Sequence, residues 1–426
     1  MRVLVGFALG LLASPVPATA GDSDAESLLR ARRVGEAASR LEEADERSYW
    51  SRNPQALAEF CETSVRESES IIEAGTDGER FAAALDRVTA AAVEAHPDSV
   101  DALRARAHAA LAWARVLTAR GAPGAAERWG AVAAEFESVA SRAPGTASPL
   151  CEAADAVIRG ADAATEDPRP AFARADALLA RVPADLASNP AIAARLAQVH
   201  LERARVSVRR RVPGAEDAIE RAMAILGPAE ALAPDDLRLG AAHNEAASTV
   251  RLLGLGRPKV SFAARPHRMA SGVLMDVPLS PLWSESSGGG SASQGTPGRR
   301  PRRTLQFRHW LWSGAYKFGG SQDVKGASIK GIADGRFEEA CAALKEVRVR
   351  SRPTRGSLKR CNPGWFFDVQ GKDATGAPVR HRAWFFKATQ GQEMTFEFSV
   401  LSHVEGDADD PEFQFVLDSI RETPKK

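Results

Sequence analysis

Lysine is absent from the first 258 residues of this 426-residue chain, and the whole sequence holds two tyrosines, five methionines and four cysteines. The positive charge of the first half is therefore carried by arginine, and its Ala/Arg bias resembles that of a high-GC bacterial proteome. The cysteines (Cys61, Cys151, Cys341 and Cys361) never form Cys-x-x-Cys, which argues against a dithiol redox pair or a cysteine-built zinc site. Also missing are His-Glu-x-x-His, Gly-x-Ser-x-Gly, a phosphate-cradling glycine loop, and Gly-x-Gly-x-x-Gly between a strand and a helix. No catalytic residue, metal ligand or cofactor is expected on these grounds, and the chain reads as a non-enzyme. His381, His403 and Asp368 are the only acid/base set worth naming, and no spacing ties them together.

One long apolar run is present, at the start. Arg2 precedes an apolar stretch from Val3 to Ala13, Pro15 and Pro17 end it, and Ala18-Thr19-Ala20 offers the small-x-small pattern of a signal-peptidase site. Residues 1–20 are thus expected to be a signal peptide, giving a periplasmic or extracellular bacterial protein with no transmembrane span after cleavage. In an oxidising compartment Cys341 and Cys361 are candidates for a disulfide. Helical spacing of Phe337, Ala340, Cys341 and Leu344 offers the alternative that Cys341 is simply a buried apolar residue.

The composition breaks at Gly254-Leu-Gly-Arg-Pro258. Residues 21–256 carry 28 Lys+Arg against 37 Asp+Glu, a net of −9, whereas residues 257–426 carry 27 against 18, a net of +9. Eighteen of the 27 aromatics follow the break. Before it the hydrophobic period is 3.6, as in Trp129, Val132, Ala133, Phe136 and Val139, and after it the period is two. The expected fold is α+β: an α-helical array over 21–256, then an antiparallel-sheet α/β sandwich over 257–426.

Within the first region, prolines punctuate the helices at Pro97, Pro144, Pro190 and Pro234, intervals of 44–47 residues. With the spacings Ala92-x-x-x-x-Pro97 and Ala229-x-x-x-x-Pro234, this resembles a tetratricopeptide-type solenoid, although that family repeats at ~34 residues. The resemblance implies an interaction platform for a protein or peptide. His96, His108, His200 and His243 read as exposed or helix-packing residues.

The second region resembles the PsbP-like α/β sandwich in Asp276-Val-Pro278-Leu-Ser-Pro-Leu-Trp283 and in the closing Glu412-Phe-Gln-Phe-Val-Leu-Asp-Ser-Ile420. That resemblance implies a non-enzymatic accessory or binding domain. A Ser/Gly/Arg-rich stretch, 284–303, is expected to be a disordered loop. Trp310, Trp312, Trp365 and Trp384 form either an aromatic binding face or the core of a sheet covered on both sides. Arg299, Arg300, Arg302 and Arg303 suggest an anionic surface or a solvated loop, and the lack of any recognition fold argues against nucleic acid. The function expected is an exported adaptor or scaffold that binds a protein partner through its helices. The alternatives are a periplasmic hydrolase with its site in the C-terminal domain, or a purely structural envelope protein.

Overall fold

A computed structural model describes residues 24–268, 273–278, 282–285, 291–295, 301–311, 328–387, 394–403 and 410–422. The expected signal peptide, Arg299, Arg300 and Trp312 lie outside the described residues. The architecture is α+β: helices run from α1 (Asp24–Arg30) to α14 (Leu237–Leu252), and antiparallel sheets follow. No helix of the described residues is long and apolar enough to cross a membrane.

Proline sets where the helices stop. The residue before a proline is sterically pushed out of the α region, so the helix ends one residue short. His96, Ala143 and Ala233 end α6 (Thr76–Ala95), α8 (Ala125–Arg142) and α13 (Ala215–Leu232) in almost one conformation, with φ of −136°, −126° and −138° and ψ of 65°, 68° and 68°. Each N–H donates to the carbonyl four residues back at 2.9 Å. A new helix then starts: α7 (Val100–Ala119), α9 (Ser148–Ala163) and α14. The first is capped by Ser99 Oγ accepting from Ala102 N–H, and the last by Asp236 accepting from Arg238 and Leu239 N–H.

The chain divides into two compact units, Met1–Ala187 with Val206–Pro213 and Ser188–Arg205 with Gly214–Lys426. In the first, α7 buries Ala102, Ala105, Ala107, Ala109, Ala110, Ala112 and Ala114, small side chains that let neighbouring helix axes approach closely. Aromatics fill the wider gaps: Trp50 stacks on Phe60 at 5.1 Å, and Phe81 meets Phe60 edge-on at 6.2 Å. Trp129 Nε1 donates to Thr118 Oγ1 at 2.8 Å, satisfying the indole inside the core. Asp86 on α6 holds Arg106 of α7 at 2.7 Å and also binds Arg128 of α8, one carboxylate tying three helices.

In the second unit, α13 and α14 pack together with the N-terminal part of α12 (Pro190–Arg209). The segment that follows α14 is stitched to these helices. Glu216 accepts from Gly256 N–H at 3.1 Å, Arg257 N–H at 3.3 Å and Arg257 Nε at 3.1 Å. Asn244 Oδ1 accepts from Ala263 N–H at 2.8 Å, and His243 bridges Glu230 and the Ser261 carbonyl at 2.8 and 2.9 Å. The composition break is therefore not a loose tether.

A small sheet pairs β1 (Ala264–Arg268), β2 (Val273–Pro278) and β10 (Arg421–Glu422). The large sheet has seven antiparallel strands in the order β3 (Trp283–Glu285), β4 (Ser291–Gln294), β5 (Arg303–Leu311), β9 (Met394–Ser402), β8 (Pro378–Lys387), β7 (Gly364–Lys372), β6 (Lys345–Gly356). β4 falls inside the stretch expected to be a loop: Ser291–Gln294 pair antiparallel with Arg303–Gln306, and the alternation of half-buried and buried residues along β4 matches a covered face. Both faces of the large sheet are covered. Helix α15 (Ile329–Ala342) lays Ile332, Ala333 and Phe337 on Phe367, Val369, Ala383 and Phe385. Helix α16 (Pro411–Ser419) lays Phe413, Val416 and Leu417 on Phe386, Phe396, Phe398 and Val400, with Met275 and Val277 of β2.

Candidate functional site

The expected site residues of the C-terminal region are largely absorbed by this packing. Cross-strand register pairs Trp365 with Phe385 and Phe366 with Trp384, so Trp365 and Trp384 point to opposite faces of the sheet and form no common surface. Trp365 packs on the α15 side beneath Lys330 and Arg355, at 5.5 and 5.0 Å. Trp384 joins the α16 side against Phe366 and Phe398, at 5.0 and 5.8 Å. Trp310 stands opposite Thr395 in the β5/β9 register.

Cys341 and Cys361 are thiols, not a bridge. The reason is topological: Cys341 packs with the α15 cluster and Cys361 with the α16 cluster, across the sheet, where Cys361 Sγ donates to the Ile420 carbonyl at 3.5 Å. Of the arginine run, Arg302 is exposed, but Arg303 is 1% exposed. Its guanidinium pairs with Asp410 at 2.7 Å, donates to Gln294 Oε1 at 2.5 Å and lies over Phe413 at 4.7 Å. Burial against Asp410, Gln294 and Phe413 takes it out of any contact with an anionic surface.

His381, His403 and Asp368 do not converge either. Asp368 is held by Arg380 at 2.6 Å on one face, whereas His381 lies against Phe367 on the other, and His403 Nδ1 is 3.4 Å from the Pro378 carbonyl. Burial, with the charges of Arg336 and Arg308, pushes the His381 imidazole down to about 4. Among the described residues no cluster of His, Cys, Asp and Glu could hold a metal ion.

The site that geometry does assemble lies in the helical unit. A cavity of about 430 Å³ opens between α7, α8 and α9 and reaches Glu62 on α4 (Pro54–Arg66). Val100, Arg104 and His108 recur at i, i+4 and i+8, so one face of α7 forms one wall. Phe136 and Val139 of α8 and Pro149 of α9 give apolar lining, and Thr146, Ser148 and Glu152 add polar groups. Arg104 reaches Glu62 at 3.1 Å and Asp101 at 3.6 Å.

His108 sits edge-on to the Phe136 ring at 5.5 Å. Burial pushes its imidazole down to about 4, and the charges of Arg104 and Arg115 push the same way. At neutral pH the ring is therefore uncharged, with one nitrogen donating and the other accepting. His108 Nδ1 and Arg104 Nε are buried and make no hydrogen bond to any described residue. Such atoms are costly to leave unsatisfied, and both belong to side chains that line the cavity. The arrangement suits recognition of a side chain with an apolar body and a polar tip. It contains no nucleophile paired with a base.

Sequence reasoning places His108 among the packing histidines, and its contact with Phe136 is of that kind. What it misses is the cavity beside the ring. The visible signal is the Val100, Arg104, His108 stripe, which sets two polar side chains one turn apart on an alanine-rich helix.

The chain matches no family model, no curated protein and no solved structure.

Proposed function

We propose that this protein is an exported, non-enzymatic scaffold that holds a protein partner on its helical region, with the cavity between α7, α8 and α9 receiving one side chain of that partner. The observation that carries the reading is the pairing, in one cavity, of an apolar lining, Phe136 and Val139, with the polar side chains of Arg104, His108 and Glu152. A pocket of mostly apolar lining with a few placed polar groups is how proteins fix a ligand's orientation.

Two further parts of the reading rest on the sequence. The pattern of residues 1–20 supports export to the periplasm or beyond. The near-identical helix stops before Pro97, Pro144 and Pro234 support a repeated, tetratricopeptide-like construction for the helical region. The C-terminal α/β region is then an accessory domain of PsbP-like kind.

The test is retention of a partner from an extract of the exported fraction by the full chain, compared with the Arg104→Gln/His108→Ala double variant. The expected result is a discrete partner retained by the parent and reduced at least ~10-fold by the variant, with unchanged helical circular dichroism. Equal retention by both proteins would remove the cavity from the account.

A further inference from the structure

A second cavity, of about 320 Å³, lies in the other compact unit along one face of α16. Pro411, Gln414, Phe415 and Asp418 line it at i, i+3, i+4 and i+7, the stripe of α16 that does not enter the sheet core. Across from it stand Arg251 of α14, Asp276 of β2, and Lys359 and Arg360 of the turn between β6 and β7.

The charges are unevenly used. Asp418 is occupied on both oxygens, by Lys359 Nζ at 3.1 Å and by Gln414 Nε2 at 3.0 Å. Ser419 Oγ is committed to the Asp276 and Val416 carbonyls at 3.1 and 2.9 Å. The guanidinium groups of Arg251 and Arg360, by contrast, form no ion pair or hydrogen bond with any described residue. The Arg251 guanidinium carbon lies 4.1 Å from the centroid of the Phe262 ring, a cation–π contact that restrains it, and Phe262 in turn contacts Phe415 at 5.0 Å. Two guanidinium groups, Phe415 and the carboxylate of Asp276, which forms no ion pair with any described residue, therefore line one cavity.

We infer that this cavity binds a compact organic monocarboxylate, its acid group held by Arg251 and Arg360 and its hydrocarbon body lying on Phe415. A guanidinium plane matches a carboxylate in a two-pronged hydrogen bond, and Arg251 is already restrained by its contact with Phe262. The volume suits a compact ligand rather than a peptide segment. Asp276 leaves the site one net positive charge, whose attraction grows only in proportion to the ligand's charge while the cost of desolvating the ligand grows as its square, which favours a monoanion over a dianionic phosphate ester.

The experiment is calorimetric titration of the full chain with benzoate, with uncharged benzamide and with phenyl phosphate. Benzoate is expected to bind saturably, with an affinity on the order of 1 mM, an attainable value for so small a ligand. Phenyl phosphate binds more weakly than benzoate, and benzamide gives no saturable heat. Arg360→Gln, an exposed turn substitution that leaves the fold intact, weakens benzoate about 10-fold or more, and Arg251→Gln does the same. Asp276→Asn narrows the gap between phenyl phosphate and benzoate. The inference is overturned if benzoate fails to saturate below ~20 mM, if benzamide binds as well, or if benzoate binding is unchanged in both arginine variants.

Discussion

Glu412 shows how one side chain couples this fold to pH. It follows Pro411 in the first turn of α16, where burial and the charge of Asp410 push its carboxyl up to about 7, against the pull of Arg303 and Arg302. Because the folded-state value is raised above the ordinary 4.5, the folded protein holds this proton to higher pH than the unfolded chain. Stability from this group is therefore complete below about pH 4.5 and is lost as pH rises through about 7, a change on the order of 3 kcal/mol. Chemical unfolding of Glu412→Gln at pH 5 and pH 8 should show the variant losing less stability than the parent; an identical pH response would show that the carboxyl titrates normally. Beside it, Arg303 is the buried cation that Asp410 and Gln294 satisfy. Truncating Arg303 to Ala leaves Asp410 without its main partner and should cost about 3 kcal/mol, measured as a drop in the unfolding midpoint at unchanged denaturant slope.

At the scale of elements, close backbone approach decides several junctions. A Cβ at Gly364, the first residue of β7, would lie 1.7 Å from the Phe385 carbonyl oxygen, so Gly364→Ala must push β7 away from β8. The expected loss is about 3 kcal/mol or more, read by thermal unfolding. Much of this level was legible in the sequence. The prolines marked the helix stops, and the alternation in Trp365-Phe366-Phe367 forces side chains to both faces of a sheet, which α15 and α16 then cover. Strand β4 was not legible, because Ser, Ala and Gln carry no strand signature of their own and pairing with β5 supplies it. Arg303 was read with its arginine neighbours as a local charge run, whereas its burial depends on Asp410, more than a hundred residues away. The His108 cavity escaped for a related reason: a space between three helices leaves no pattern within any one of them.

For the whole molecule, the change of composition near Pro258 coincides with the change from helix to strand. The hydrogen bonds of Glu216, Asn244 and His243 nevertheless hold the connecting segment against α13 and α14. Those helices and most of α12 belong to the same compact unit as the sheets, and the helices before α12, with its last residues, form the other. Among the described residues of the α/β region, Trp365 and Trp384 point to opposite faces of the main sheet, one packed on the α15 side and the other on the α16 side. The partner-holding role rests on the cavity of the helical unit. Its most direct test is site-specific photocrosslinking in the full chain, with a photoreactive residue at Glu152 on the cavity wall and, as a control, at the exposed Arg169. The account predicts that the partner is captured from Glu152 and not from Arg169. Equal capture at both positions, or capture from Arg169 alone, would contradict it.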